Sequence, residues 1–124
     1  MKHLVAVVSF VAVVFFSVLA VAADKVSIAN HVDEIVSAID GGKEAASFAP
    51  DAYTPYAFIM DSSGTLLVHP SLAGQDLKEK AMPIYEALQA ATDKGQWITY
   101  EYNGNEKNTY AKKTASGLIV GSGY

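Results

Sequence analysis

The sequence predicts an α+β domain built on one five-stranded antiparallel sheet, with an N-terminal helix and a second helix between strands 2 and 3. Apolar residues recur at helical spacing over residues 28–39 and again over 77–91. Alternating or unbroken apolar runs of strand length occupy residues 56–68 and 96–124. Short connections rich in Gly, Asn and Asp favour antiparallel pairing, and the helices are expected to cover one face of the sheet.

Residues 1–23 are interpreted as a secretory signal peptide. Lys2 precedes an uncharged apolar run, and Ala20-Val21-Ala22 fits the A-x-A pattern of a cleavage site. An uncleaved membrane anchor is the alternative, because the run is long enough to cross a bilayer. Both interpretations put residues 24–124, a single domain, outside the cytoplasm, and cleavage predicts a periplasmic or secreted protein.

The predicted first helix carries an apolar stripe and ends at Gly41-Gly42. The stripe consists of Ile28, Val32, Ile35, Val36 and Ile39. One more helical turn is expected over residues 43–48, followed by a loop. Strands are predicted over 56–60 and 65–68, and the turn Asp61–Gly64 joins them into a hairpin.

The second helix is predicted from Leu77 or Pro83 to Ala91, with proline in its first turn. Three strands follow over residues 96–102, 108–113 and 118–124, and turns at 103–105 and 114–117 connect them into a meander. The hairpin and the meander join most economically when the first and last strands are neighbours in the middle of the sheet.

Composition excludes several classes of function. The chain has 13 acidic residues against 9 lysines and no arginine, so nucleic-acid binding is disfavoured. The absence of cysteine excludes thiol catalysis, thiolate metal sites and disulfides. His31 and His69 are far apart in sequence, and no loop has the carboxylate spacing of a calcium site. We therefore expect no enzymatic activity, no cofactor and no metal.

Candidate binding residues come first from the hairpin. Tyr56 and Phe58 share one face of the first strand. A buried Tyr56 needs a partner for its hydroxyl, whereas Phe58 is equally well explained as core. His69 ends the second strand, where Pro70 fixes its backbone. Its imidazole either ties down the following loop or receives a carboxylate.

The meander supplies the other candidates. Tyr100 and Tyr102 lie on the opposite face of their strand from Trp97, and each of the three is either a ligand-lining aromatic or ordinary sheet packing. Tyr110 and Lys112 share a face in the next strand, away from Lys113. A lysine beside a tyrosine on an inward face is an anion receptor, whereas an outward lysine is solvent-exposed charge.

Four motifs in order resemble the single Cache sensor domains of bacteria. They lie in "YAFIMDSSGTLLVHPSLAGQDL", "GQWITYEYN" and "KNTYAKKTASGLIVGSGY". They are similar to the family's Y-x-F-x-x-D-x-x-G-x-x-L-x-H-P, G-x-W-x-x-Y, K-x-x-Y-x-K and closing G-S-G-x-Y patterns. Residues 79–83 replace an Asp-x-x-Gly element of many members, and no output module is expected after Tyr124.

The resemblance implies a PAS-like sheet ordered 2-1-5-4-3 with a pocket for small organic acids or amino acids. It puts His69 at the pocket rim and favours Lys112 over Lys107 and Lys113 as the anion-binding lysine. The predicted ligand-binding set is Tyr56, Phe58, His69, Trp97, Tyr100, Tyr110 and Lys112. The leading hypothesis is a periplasmic sensor-type domain that binds a small carboxylate as a monomer or weak homodimer. The alternative is an interaction module that docks on a membrane receptor without a ligand of its own.

Overall fold

The computed structural model describes residues 25–124, which form a five-stranded antiparallel sheet with helices packed against it. The elements are α1 (25–40), β1 (Ala57–Met60), β2 (Leu66–Val68), α2 (Leu77–Lys80), α3 (Met82–Leu88), β3 (Gln96–Tyr102), β4 (Asn105–Lys113) and β5 (Ile119–Gly123). The strand order is β2-β1-β5-β4-β3, so the first and last strands are central neighbours as predicted. The signal-peptide prediction for residues 1–23 lies outside the described residues.

Helices cover both faces of the sheet, so the expectation that they cover one face was wrong. Val32, Ile35 and Val36 of α1 pack on one face, against Ile59 and Val120. The two short helices α2 and α3 pack on the other face through apolar side chains such as Leu77, Ile84 and Leu88. The physical reason lies in β1, whose four residues are all buried, because an unbroken apolar strand needs cover on both sides.

The turn between β1 and β2 is held by one carboxylate. Asp61 Oδ1 accepts hydrogen bonds from the backbone N–H groups of Ser63 and Thr65, both at 3.0 Å. Gly64 has φ +96°, a conformation that glycine adopts without strain. Burial alone would raise the pKa of Asp61, but the hydrogen bonds from Ser63 and Thr65 lower it below its ordinary value. The predicted turn is therefore confirmed.

The turn between β3 and β4 fixes which side chains share a face. Asn103 and Gly104 have φ of 52° and 79°, and two central residues with positive φ are typical of a type I′ hairpin. β4 therefore starts at Asn105, three residues before the predicted start at 108. The register pairs Tyr100 with Lys107, so these two side chains lie on the same face of the sheet.

Helical predictions hold with smaller corrections. The extra turn expected over residues 43–48 is a 3-10 helix, Ala45–Ser47. The second predicted helix is split in two. Asp76 caps α2 by accepting a hydrogen bond from the Lys78 backbone N–H at 2.9 Å, and Pro83 lies in the first turn of α3 as expected.

Candidate functional site

A small pocket lies between the sheet and the helices α2 and α3. Its volume is about 40 Å³. Apolar side chains make up most of its wall, and a histidine, a lysine and three tyrosines supply the polar groups. The lining residues are Tyr56, Phe58, Leu66, His69, Leu72, Leu77, Ile84, Leu88, Tyr100, Tyr102 and Lys107. An apolar cavity with a few convergent polar groups is the usual form of a small-molecule site.

The floor of the pocket depends on a glycine in β5. Gly121 is paired with Phe58, and a Cβ atom at position 121 would overlap the Phe58 ring. The ring therefore packs directly against the β5 backbone at Gly121, where it is almost fully buried. The first glycine of the closing G-S-G segment thus has a structural function, which is to let an aromatic side chain approach the strand.

Tyr100 and Tyr56 contribute phenol groups to the wall. The Tyr100 hydroxyl lies 2.9 Å from the hydroxyl of Thr109, a fully buried residue of β4. Burial raises the pKa of both tyrosines, so both hydroxyls stay protonated at neutral pH. The sequence prediction that both residues belong to one site is consistent with this position.

His69 ties down the loop that follows β2. Its Nδ1 accepts hydrogen bonds from the backbone N–H groups of Ser71 at 3.1 Å and Leu72 at 3.0 Å. Because Nδ1 accepts two donors, the neutral ring carries its proton on Nε2. Burial, and then the charge of Lys107, lower the pKa of His69 below its ordinary value. Since His69 also lines the pocket, one imidazole both holds the loop and forms part of the pocket wall.

Lys107 is the lysine at the pocket, although the sequence reasoning had ranked it below Lys112. Its Nζ lies 5.0 Å from the centroid of the Tyr56 ring, a cation–π distance. Burial lowers the pKa of Lys107. Among residues 25–124, the one ion pair within 4.0 Å joins Lys112 to Asp33, so Lys107 has no carboxylate partner there.

Three predicted site residues lie on the opposite face, against α1. Lys112 Nζ is 3.2 Å from Asp33 Oδ1, and the Tyr110 hydroxyl donates a hydrogen bond to the same oxygen at 3.2 Å. The Trp97 and Tyr110 rings are 5.5 Å apart, and Lys25 lies over the indole. Burial and the Asp33 carboxylate raise the pKa of Tyr110. These side chains hold α1 to the sheet.

The predicted site is therefore divided by the sheet. Tyr56, Phe58, His69 and Tyr100 line the pocket, whereas Trp97, Tyr110 and Lys112 do not. His69 and Lys112, both in the predicted set, therefore do not share a ligand site, because the two side chains lie on opposite faces of the sheet. Tyr102, weighed in the aromatic wall but left out of the predicted set, and Lys107, ranked below Lys112, also line the pocket. The sequence reasoning missed the apolar residues that the helices contribute.

The pocket continues into a wider groove beside α2 and α3. The groove has a volume of about 300 Å³ and shares Leu72, Leu77, Ile84 and Tyr102 with the pocket. The rest of its lining comes from α2, α3 and the open edge of β3. No group of three His, Asp or Glu side chains suited to a metal ion occurs within the part of the chain that the structure describes.

Comparisons of the chain with protein-family models, with curated proteins and with solved structures found no match. None of the helices within residues 25–124 combines the length and the apolar character needed to cross a membrane. The geometry of the pocket is therefore the main basis for a functional assignment.

Proposed function

We propose that this chain is an extracytoplasmic, sensor-type domain that binds a small monocarboxylate in the pocket between the sheet and the helices α2 and α3. The observation that carries the proposal is Lys107. It is a half-buried cation without a carboxylate partner among residues 25–124, and it lies at the edge of a mainly apolar cavity. A bound carboxylate would compensate the desolvated charge.

The neighbouring polar groups suit the same ligand. His69 has its proton on Nε2, because its Nδ1 accepts two backbone hydrogen bonds. The Tyr56 and Tyr100 hydroxyls are protonated at neutral pH. The His69 imidazole and the Tyr56 hydroxyl each carry a proton that a carboxylate can accept, and the Tyr100 hydroxyl does so when Thr109 is the donor of the hydrogen bond between them.

The volume of the pocket limits the ligand. A cavity needs a volume of roughly 10–15 Å³ to hold one water molecule. The pocket volume of about 40 Å³ therefore corresponds to a few heavy atoms. Acetate and propionate are of this size. A larger ligand has to extend into the groove beside α2 and α3.

Two further observations support the sensor-type assignment. The strand order β2-β1-β5-β4-β3 is the order that the Cache resemblance implies. The signal-peptide pattern of residues 1–23 supports export from the cytoplasm.

The test is a thermal-shift series with acetate, propionate, lactate and pyruvate on wild type, Lys107→Met and Lys112→Met. A ligand at one hundred times its Kd stabilises the native state by about 2.7 kcal/mol. We expect this stabilisation in wild type and in Lys112→Met, and its loss in Lys107→Met. Lys112→Met is the matched control, since it removes a lysine from the same strand on the opposite face.

The outcomes separate this proposal from a competing one. No stabilisation by any of the four acids, or an equal response in Lys107→Met, contradicts the carboxylate proposal. The small volume of the pocket favours, as a second candidate, an interaction module without its own ligand. That function predicts no response to small acids and capture of a membrane receptor from solubilised membranes of the source cells.

A further inference from the structure

The two edges of the sheet differ in how their backbone groups are used. At the β2 edge, the Leu66 N–H donates to the Gln75 carbonyl at 2.9 Å, and the Leu66 carbonyl accepts from the Gly74 N–H at 2.7 Å. Thr65 forms a further bridge with Asp76. The loop after β2 therefore covers this edge, as natural proteins commonly do to prevent strand pairing.

The β3 edge is open over seven residues. Apart from the ladder with β4, no backbone hydrogen bond among residues 25–124 involves residues 96–102. The two-residue turn at Asn103-Gly104 makes Tyr102 and Asn105 a hydrogen-bonded pair, and such pairs alternate along an antiparallel ladder. The N–H and C=O groups of Trp97, Thr99 and Glu101 consequently point outward.

The open edge lacks the features that normally block association. Residues 96–102 contain no proline and no lysine, and the β3–β4 register is continuous without a bulge. Gln96, Thr99, Glu101 and Tyr102 are exposed. A regular strand of this length with three outward-facing residues is a template for another strand.

We propose that β3 pairs antiparallel with β3 of a second copy of this chain, about a two-fold axis at Thr99, to give a continuous ten-stranded sheet. In this register Thr99 faces the partner's Thr99, and Trp97 faces the partner's Glu101. All three outward-facing residues of each copy then have partners, which gives about six interchain hydrogen bonds. Shifting the register by two residues in either direction loses one of the three pairs.

Charge complementarity selects a second copy as the occupant. Glu101 is the one charged residue of β3, and the proposed register keeps the two Glu101 side chains at opposite ends of the interface. Each lies across from the partner's Trp97, over which Lys25 Nζ is held 5.1 Å from the ring centroid. Glu101 of one copy therefore meets the lysine of the other, twice by symmetry.

The deciding experiment compares Thr99→Pro with Thr99→Val by sedimentation equilibrium from micromolar to near-millimolar protein. Proline at position 99 removes the outward N–H but none of the hydrogen bonds between β3 and β4. Edge strands tolerate proline where the N–H faces away from the sheet. Both variants lose the 3.0 Å hydrogen bond from the Thr99 hydroxyl to Asn108, so valine controls for that loss. All variants are produced from the full-length sequence, and mass spectrometry verifies that their N-termini are identical.

We expect wild type and Thr99→Val to dimerise, and the dimer dissociation constant of Thr99→Pro to rise by roughly tenfold or more. Monomeric wild type at every concentration overturns the proposal. So does association of Thr99→Pro equal to that of Thr99→Val, because the dimer then uses another face. The ligand-binding proposal is independent of either result.

A second test uses the charges of Glu101 and Lys25. It decides the question if circular dichroism shows that Thr99→Pro is unfolded. Glu101→Lys at an exposed position should raise the dissociation constant about threefold at low salt, and combination with Lys25→Glu should restore it. Failure of the double variant to recover association contradicts the proposed register.

Discussion

The two faces of the sheet use the same strands in different ways. On the α1 face, a long helix closes the sheet, and the polar groups there bond one another through Asp33, Tyr110 and Lys112. On the other face, two short helices and a loop leave a cavity. The lysine there, Lys107, contacts an aromatic ring and has no carboxylate partner within residues 25–124. Lys107 and Lys112, two lysines of the same strand, thus have different roles, because different helices cover the two faces of the sheet.

The largest expected effect comes from adding a side chain at Gly121, where the Phe58 ring contacts the β5 backbone. Gly121→Ala introduces a Cβ that overlaps the ring, so the ring has to move into the pocket or the strands have to separate. We expect a loss of about 1–3 kcal/mol in the free energy of unfolding by urea, as for other overpacked cores. The same variant should lose any thermal response to small carboxylates.

Gly121→Ala combined with Phe58→Leu is the matched comparison, because a smaller side chain at position 58 relieves the overlap. Recovery of stability in the double variant supports the steric explanation. Equal stability of wild type and Gly121→Ala would show that the pocket floor does not depend on this contact.

A smaller effect is expected on the α1 face. Asp33→Ala removes the ion pair with Lys112 and the acceptor of the Tyr110 hydroxyl. The Asp33 side chain is 44% exposed and that of Lys112 22%, so solvent weakens the pair. We expect a loss of about 1 kcal/mol in urea unfolding and an unchanged response to carboxylates. A double-mutant cycle with Lys112→Met isolates the pair, and a coupling energy of zero would contradict its role in holding α1.

The fold was predictable because its signals are local. The stripe from Ile28 to Ile39, the Asp61–Gly64 turn and the alternation in β3 each lie within a short segment. The same alternation correctly separated Trp97 from Tyr100 and put Tyr110 on one face with Lys112. The unbroken apolar sequence of β1 also indicated that helices cover both faces of the sheet, but this was not inferred.

The site was only partly predictable, for two different reasons. The position of Lys107 could have been predicted from the sequence. The two-residue turn at Asn103-Gly104 fixes the hairpin register, and counting back from the turn puts Lys107 opposite Tyr100. The face of the sheet on which the cavity forms could not have been predicted from the sequence. It depends on contacts such as that of Asp33 with Lys112, and no local pattern records a partner so distant in sequence.

The smallest effect concerns pH and the loop that lines the pocket. His69 Nδ1 accepts from two backbone N–H groups, and protonation would replace this acceptor by a third donor. Burial and Lys107 lower the pKa of His69 in the native state, whereas the unfolded chain keeps the ordinary value. The unfolded state therefore binds more protons between these two pKa values, and stability falls as the pH drops from about 6.5 toward the native pKa.

His69→Asn is the variant that sharpens this prediction. The asparagine side-chain oxygen lies where Nδ1 does and accepts the same two hydrogen bonds, but it does not titrate. We expect wild type and His69→Asn to have similar midpoints of thermal unfolding above pH 7. Below about pH 6.5 the wild-type midpoint should fall faster than that of the variant. Parallel curves across this range would mean that the loop does not depend on a neutral imidazole, and that His69 contributes to the pocket wall alone.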